Sequence, residues 1–244
     1  MDILFRGAKN LGIDLSAEQM ELFRSYYQEM TEWNSRMNLT TIVENEKVQV
    51  FHFLDSLTCV LASEKGNFPF EGNASILDVG TGAGLPGIPL KIAFPDLHLF
   101  LLDSTGKKIS FLGHLTEKLD LRFVEVIHGR AEELGRRPEY REKFDIVVSR
   151  AVAPLPTLVE LCLPFCLPGG KFIALKKGGL DTEIALAQRA ITALGGAPPG
   201  KIKVNLPELK DNRYVIVIEK LGQTPPNYPR RSGIPVRRPI SNRA

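Results

Sequence analysis

Ile76-Leu77-Asp78-Val79-Gly80-Thr81-Gly82-Ala83-Gly84-Leu85-Pro86-Gly87 is a short apolar run that passes through an acid into four closely spaced glycines. An apolar run of this length reads as a buried strand, and the glycines mark its hand-over to a helix. Glycine at such a junction lets the backbone turn tightly and approach a ligand beside the positive end of a helix. Downstream, Leu97 to Leu102 reads as a second strand ending at Asp103, 21 residues beyond Gly82. A carboxylate there is placed to accept hydrogen bonds from two ribose hydroxyls, so an adenosine-type ligand is expected across the carboxyl ends of the strands.

The rest of the chain repeats the pattern. Further strands are expected at 123–127, 144–148 and 171–175, with helices at 87–94, 105–119, 155–166 and 181–194. Strands alternating with helices of this length build βαβ units around a parallel sheet. Residues 202–206 and 214–219 are then two strands joined by Pro207 to Arg213, too short for a helix, which implies an antiparallel pair. The expected fold class is α/β, a mostly parallel seven-stranded sheet with one antiparallel strand, preceded by N-terminal helices. The organisation that follows is a helical extension over 1–74, a core over 75–222 and a basic Pro/Arg tail over 223–244.

In the extension, Ser16 and Gln19 have capping-box spacing, and Met20, Phe23, Tyr27, Met30 and Trp33 recur at helical steps over residues 15–33. A second helix is expected over roughly 46–62, and 63–74 reads as a linker. Charge is divided unevenly: −5 over residues 1–75, +3 over 76–222 and +5 over 223–244, where five arginines meet no acid. Such a tail suits a polyanion, or is simply a solvated terminus.

Composition excludes several classes. With 43% apolar and 24% charged residues in 244, the chain is expected to be globular, one large domain or one domain with short appendages. No stretch reaches the roughly 18 apolar residues of a membrane span, and the N-terminus lacks a signal peptide's pattern, so a cytoplasmic protein with no membrane partner is expected. Cys59, Cys162 and Cys166 form no disulfide framework, and His52, His98, His114 and His128 no ligand pair, so no metal is expected.

Gly82-Ala83-Gly84-Leu85-Pro86-Gly87 is also a literal G-x-G-x-x-G, which admits a nicotinamide-dependent oxidoreductase. Against it stand Asp78 before the loop and the closing antiparallel pair. The steps Gly80-x-Gly82-x-Gly84 match the loop of S-adenosylmethionine-dependent methyltransferases, which cradles the amino-acid end of that cofactor. Gly129-Arg130-Ala131-Glu132 follows the third strand and can meet an adenine edge; Glu132 is alternatively a first-turn helix acid. Ser149-Arg150 follows the fourth, where a guanidinium can hold a carboxylate, phosphate or base.

Trp33-Asn34-x-x-x-Asn38-Leu39-Thr40, His52-x-x-Asp55-Ser56-Leu57, and Leu77 to Pro89 together resemble the bacterial 16S rRNA guanine-N7 methyltransferases, the glucose-inhibited division protein B family. Leu102-Asp103-Ser104, Phe111-Leu112, Ala131-Glu132, Ser149-Arg150-Ala151 and Ala174-Leu175-Lys176 extend the likeness from about residue 30 to the tail. Lys176-Lys177-Gly178 departs from the Leu-Lys-Gly of many relatives, and the tail resembles an extension that only part of the family carries.

The resemblance implies a class I methyltransferase fold, S-adenosyl-L-methionine as cofactor, and a guanine of 16S rRNA, free or in the small ribosomal subunit, as target. Carried over by position, it implies cofactor contacts at Gly80, Leu85, Ala131, Glu132 and Arg150, with Asp103 and Ser104 on the ribose side; the loop reading adds Gly82 and Gly84. No firm catalytic residue is expected. Arg150, Lys176 and Asn38 are positioning candidates around the target nucleotide, and Arg36, Arg230, Arg231, Arg237 and Arg238 are candidates for RNA phosphates. Trp33 is either a stacking ring for a splayed base or a core residue of its helix. The competing reading is a non-catalytic RNA- or ribosome-binding module on the same fold. Nothing in the sequence sets an oligomeric state.

Overall fold

A computed structural model describes residues 1–63, 70 and 72–240. The expected linker at 63–74 falls largely outside these residues, as does Arg243. Seven strands form one sheet in the order β3-β2-β1-β4-β5-β7-β6: β1 Ser75–Val79, β2 His98–Asp103, β3 Val124–His128, β4 Phe144–Arg150, β5 Cys166–Lys177, β6 Gly200–Lys203 and β7 Arg213–Glu219. β1 pairs in parallel with both β2 and β4, while β7 runs antiparallel between β5 and β6. The strand order therefore reverses between β1 and β4, and a crevice opens outside their carboxyl ends.

The helices between strands are α5 Gly87–Ala93, α6 Gly106–Lys118, α7 Ala131–Leu134, α8 Leu155–Cys162 and α9 Asp181–Ala193. α8 stops four residues before its expected end, because Pro164 cannot donate the next helical hydrogen bond. Cys166 already opens β5, whose register against β4 shifts between Phe144 and Ile146. The sixth strand lies earlier than the expected 202–206: Val204 and Leu206 turn into the core, and Pro207 has no N–H for a ladder.

The N-terminal segment holds α1 Asp2–Asn10, α2 Ala17–Met37, and a continuous helical run from α3 Asn45–Val48 through a π-turned stretch, Gln49–Leu54, to α4 Asp55–Leu57. A 3₁₀ turn, Thr58–Ala62, ends the run. At the start of α2 the capping box forms in both directions: Gln19 N–H donates to Ser16 Oγ at 3.1 Å, and Ser16 N–H to Gln19 Oε1 at 2.8 Å. The buried face of α2 carries Met20, Phe23, Tyr26 and Met30. Tyr26, not the expected Tyr27, is the tyrosine fully enclosed. Trp33 packs 5.6 Å from Phe111 and 5.0 Å from His114, which uses its ring within the protein. These helices share one apolar cluster with one face of the sheet, and α8 and α9 cover the other.

The described part of the tail, up to residue 240, lies against the core. Arg136 and Arg141 donate to the carbonyls of Pro229 and Tyr228, each at 2.7 Å. The segment then forms a single turn, α10 Ile234–Arg237, against α8.

Candidate active site

The glycine loop is shaped by Asp78, which is fully buried at the end of β1. Its Oδ2 accepts from Thr81 Oγ1 at 2.7 Å and from Gly87 N–H at 2.8 Å. Its Oδ1 has no partner among the described residues. Burial pushes the carboxyl up to about 7, against the opposing pull of those two hydrogen bonds. The Gly87 N–H at the start of α5 is therefore already taken by Asp78. Gly84 faces Ile88 and Tyr26, and Gly87 faces Leu101 and Asp78. The last two glycines of the G-x-G-x-x-G thus look into protein, leaving no cradle for a pyrophosphate, and the nicotinamide reading is corrected on this geometry.

Gly80 looks the other way. It has φ +73°, and a Cβ there would stand 2.5 Å from Val152 Cγ2. Only glycine keeps this edge of the crevice open. Asp103 closes β2 and is 5% exposed. Its Oδ2 accepts from Gly82 N–H at 3.0 Å and its Oδ1 from Thr105 N–H at 2.9 Å, with Lys108 Nζ 3.4 Å from Oδ2. Each carboxylate oxygen can accept more than one hydrogen bond, so both retain capacity for a ligand. Around them lies a cavity of about 370 Å³, bounded by Gly80, Asp103, Ser104, Ala131, Glu132 and Val236 among others.

A second cavity, about 450 Å³, lies beyond the end of β4, and Ala151 lines both. Ala151 has φ +56°, a left-handed conformation that costs a non-glycine residue strain and turns the chain between the two spaces. The floor of the second cavity is an ionic cluster. Asp55 receives Arg150 on Oδ2 at 3.0 Å and Arg213 on Oδ1 at 2.6 Å. Arg150 also donates to Phe51 O at 2.8 Å, and Arg213 lies over the Phe51 ring at 5.2 Å. Lys176 pairs with Glu183 at 2.5 Å, and Lys177 with Asp211 at 2.8 Å. His52, in the same wall, is held down to about 4 by burial and then by the Arg150 charge, so its ring is neutral at neutral pH.

The expected residues separate into groups. Gly80, Asp103, Ser104, Ala131 and Glu132 line the first cavity. Gly82 supports it through Asp103, while Gly84 and Leu85 face inward. Arg150 and Lys176 lie in the second. Asn38 lines neither; it caps α2 in a left-handed conformation with φ 51°. Arg36 is exposed beside Glu32. Arg230, Arg237 and Arg238 border a third cavity with Arg189, and Arg230 is in addition engaged by Glu160.

Sequence reasoning missed Lys108, Arg189, Arg213 and Val236 as lining residues, and Tyr26, which donates to Ala83 O and so buttresses the loop from α2. Lys108 alone had a signal, its place in the first turn after the Asp103 strand end.

The family model for GidB, rRNA small subunit methyltransferase G, matches residues 19–212. A ribosomal RNA small subunit methyltransferase G from Dehalococcoides mccartyi (strain CBDB1) is 48% identical over 98% of this chain and 100% of its own length. One from Lachnoclostridium phytofermentans is 46% identical over 96% of this chain and 95% of its own. Among solved structures, an SAM-dependent O-methyltransferase from Thermotoga maritima superposes with a TM-score of 0.53 at 13% identity, covering 80% of this chain and 72% of that one. TrmN from Thermus thermophilus gives 0.52 at 16% identity, over 69% of this chain and 48% of that one. At such identities these two likenesses speak to the fold alone.

Proposed function

The chain belongs to the GidB family, rRNA small subunit methyltransferase G, and is an S-adenosylmethionine-dependent rRNA methyltransferase; from that premise we propose that it methylates N7 of a guanine in 16S rRNA at the junction of its two cavities. The observation that carries this reading is Ala151, which borders both spaces. A methyl donor in the first and a nucleobase in the second would meet there.

The first cavity suits the cofactor on two grounds. A side chain at Gly80 would run into Val152, which lines the same cavity, and Asp103 offers free acceptor capacity at a strand end. Gly80, Asp103, Ser104 and Ala131 are the residues proposed to hold it. When bound, it supplies an electrophilic methyl group on a sulfonium.

The protein's share is positional. Guanine N7 carries a lone pair and no hydrogen, so no base is needed to expose it. That agrees with a cavity wall whose histidine is neutral and hydrogen-bonded, with Thr40 Oγ1 2.8 Å from Nε2. Arg150, engaged through Nη1 alone, and Lys176 present donors suited to a guanine carbonyl or a phosphate, on side chains already fixed by Asp55 and Glu183. Holding the two reactants in line can account for about 7–11 kcal/mol of the barrier. Arg189, Arg237 and Arg238, around a cavity of about 460 Å³, are proposed to take RNA phosphates. Among the described residues no helix is long and apolar enough to cross a membrane.

Incubating the chain with the cofactor and small-subunit RNA, either bare or assembled, tests the reading. Appearance of 7-methylguanosine in either substrate supports it. RNA that is bound but unmodified in both would favour the non-catalytic module, and methylation at another atom would overturn the N7 assignment.

A further inference from the structure

The C-terminal segment carries five arginines and reads as an RNA arm, yet its turn at Ile234–Arg237 is built into the wall of the cofactor cavity. Val236 lines that cavity although it is 62% exposed, as does Val152 at 39%. Two aliphatic side chains left open to water in the same crevice would lose apolar exposure to an apolar surface that enters it.

The anchoring of the segment is specific. Arg230 forks onto Glu160, with Nε 2.8 Å from Oε1 and Nη2 2.6 Å from Oε2, and its backbone N–H donates to Oε1 at 2.8 Å. The Glu160 side chain has no solvent exposure. Glu132, on the wall of the crevice, accepts from Gly233 N–H at 2.8 Å, three residues before Val236. Thr157 Oγ1 donates to Pro235 O at 3.2 Å. The donors and acceptors come from α7 and α8, so the tail is referenced to the elements that follow β3 and β4. A carboxylate that the family resemblance assigns to the cofactor here uses one oxygen to hold a strap.

We propose that residues 230–237 form the outer wall of the cofactor site, and that Val236 packs against the adenosine part of the bound cofactor. The inference rests on the first cavity being the cofactor site, and it assigns a binding role to a segment that its charge alone would give to RNA. Glu132 and Glu160 are then positioning residues for that wall.

Calorimetric titration with S-adenosylhomocysteine tests this. In the full chain, Val236→Asp should weaken binding about tenfold, about 1.4 kcal/mol, while Val236→Leu should stay within about twofold. Residue 236 is largely exposed in the free protein, so neither variant should shift its melting temperature. A chain ending at Arg231 keeps the Glu160 fork and should show a loss at least as large as that of Val236→Asp. S-adenosylhomocysteine should also slow tryptic cleavage after Arg237 in the full chain. Unchanged affinity in Val236→Asp, or tighter binding in the shortened chain, would overturn the proposal and leave the cofactor site standing. A full chain that binds no S-adenosylhomocysteine would overturn both.

Discussion

Arg150, at the end of β4, donates to the carboxylate of Asp55 at 3.0 Å across 95 residues of chain. The contact ties the N-terminal helices to the edge of the sheet where the two cavities meet. Arg213 from β7 reaches the other oxygen of the same carboxylate at 2.6 Å. One acid thus fixes two guanidinium groups from opposite sides of β5.

Removal of that acid should be costly. Asp55→Ala leaves the Arg150 side chain, only 14% exposed, without its counter-charge, and leaves Arg213, 13% exposed, with Asp211 alone. Breaking a buried pair in this way typically costs about 3–5 kcal/mol, because the uncompensated charge remains. Urea unfolding of Asp55→Ala against the unmodified chain should show a loss of that order. A change under about 1 kcal/mol, the ceiling typical of exposed pairs, would mean that the cluster contributes no more than a surface ion pair.

Stability against pH should carry two opposing slopes. Asp78 titrates at about 7 folded against 3.8 unfolded. Between those values the folded state keeps a proton that the unfolded state has lost, so stability falls as pH rises from about 4 to 7 and is then flat. His52 titrates at about 4 folded against 6.5 unfolded. Its contribution is fully present above 6.5 and is lost as pH falls towards 4. The two offset each other across the shared window. Asp78→Asn should therefore expose a rise in stability between pH 4 and 6.5, and His52→Gln a fall between pH 4 and 7. Parallel pH profiles for the two variants would contradict both assignments.

At the cofactor cavity, Asp103→Ala removes the acceptor proposed for the ribose and also frees Gly82 N–H. A hydrogen bond to a charged group contributes about 1.5–3 kcal/mol, so S-adenosylhomocysteine should bind roughly 10- to 100-fold more weakly. Lys108→Met, which removes the 3.4 Å partner of that carboxylate, should have a smaller effect. Calorimetry orders the two variants, and the reverse order would move the contact from Asp103 to Lys108.

How far the sequence reaches depends on whether a residue's partner is local. The capping box of Ser16 and Gln19 lies within four residues and reads directly. The strands β1 to β5 and β7 announce themselves as apolar runs between turn signals, and Asp103 is found by its distance from the loop. Tyr26 and Tyr27 are indistinguishable until the loop carbonyl of Ala83 selects one of them. Arg213 is a lone arginine at a strand start, and nothing near it in sequence points to Asp55. α1 is hard to read from sequence because its Gly7 lowers helix propensity, and the glycine is there for a different reason: a Cβ would collide with Leu54. The tail is the least legible part, since a run of arginines without acids reads as free charge when its acids stand about 70 to 100 residues upstream.

The arginines of the tail region should therefore divide into two kinds. Arg230→Ala strands Glu160, which has no solvent exposure, and should behave as a stability variant, losing about 3–5 kcal/mol on unfolding. Arg189→Gln and Arg238→Gln face the third cavity and are exposed. They should leave the melting temperature alone and lower RNA affinity, reducing the slope of log affinity against log salt by about one per arginine removed. Filter binding of small-subunit RNA across a salt series, beside thermal melts of the same variants, separates the two behaviours. The division is a matter of where the counter-charge sits. A guanidinium already forked onto a buried carboxylate has little left to offer a phosphate, whereas one facing solvent can release counterions when the RNA arrives. If Arg230→Ala instead melted like the unmodified protein and lost RNA affinity in step with Arg238→Gln, the fork onto Glu160 would have to open on RNA binding, and the tail would be an arm after all.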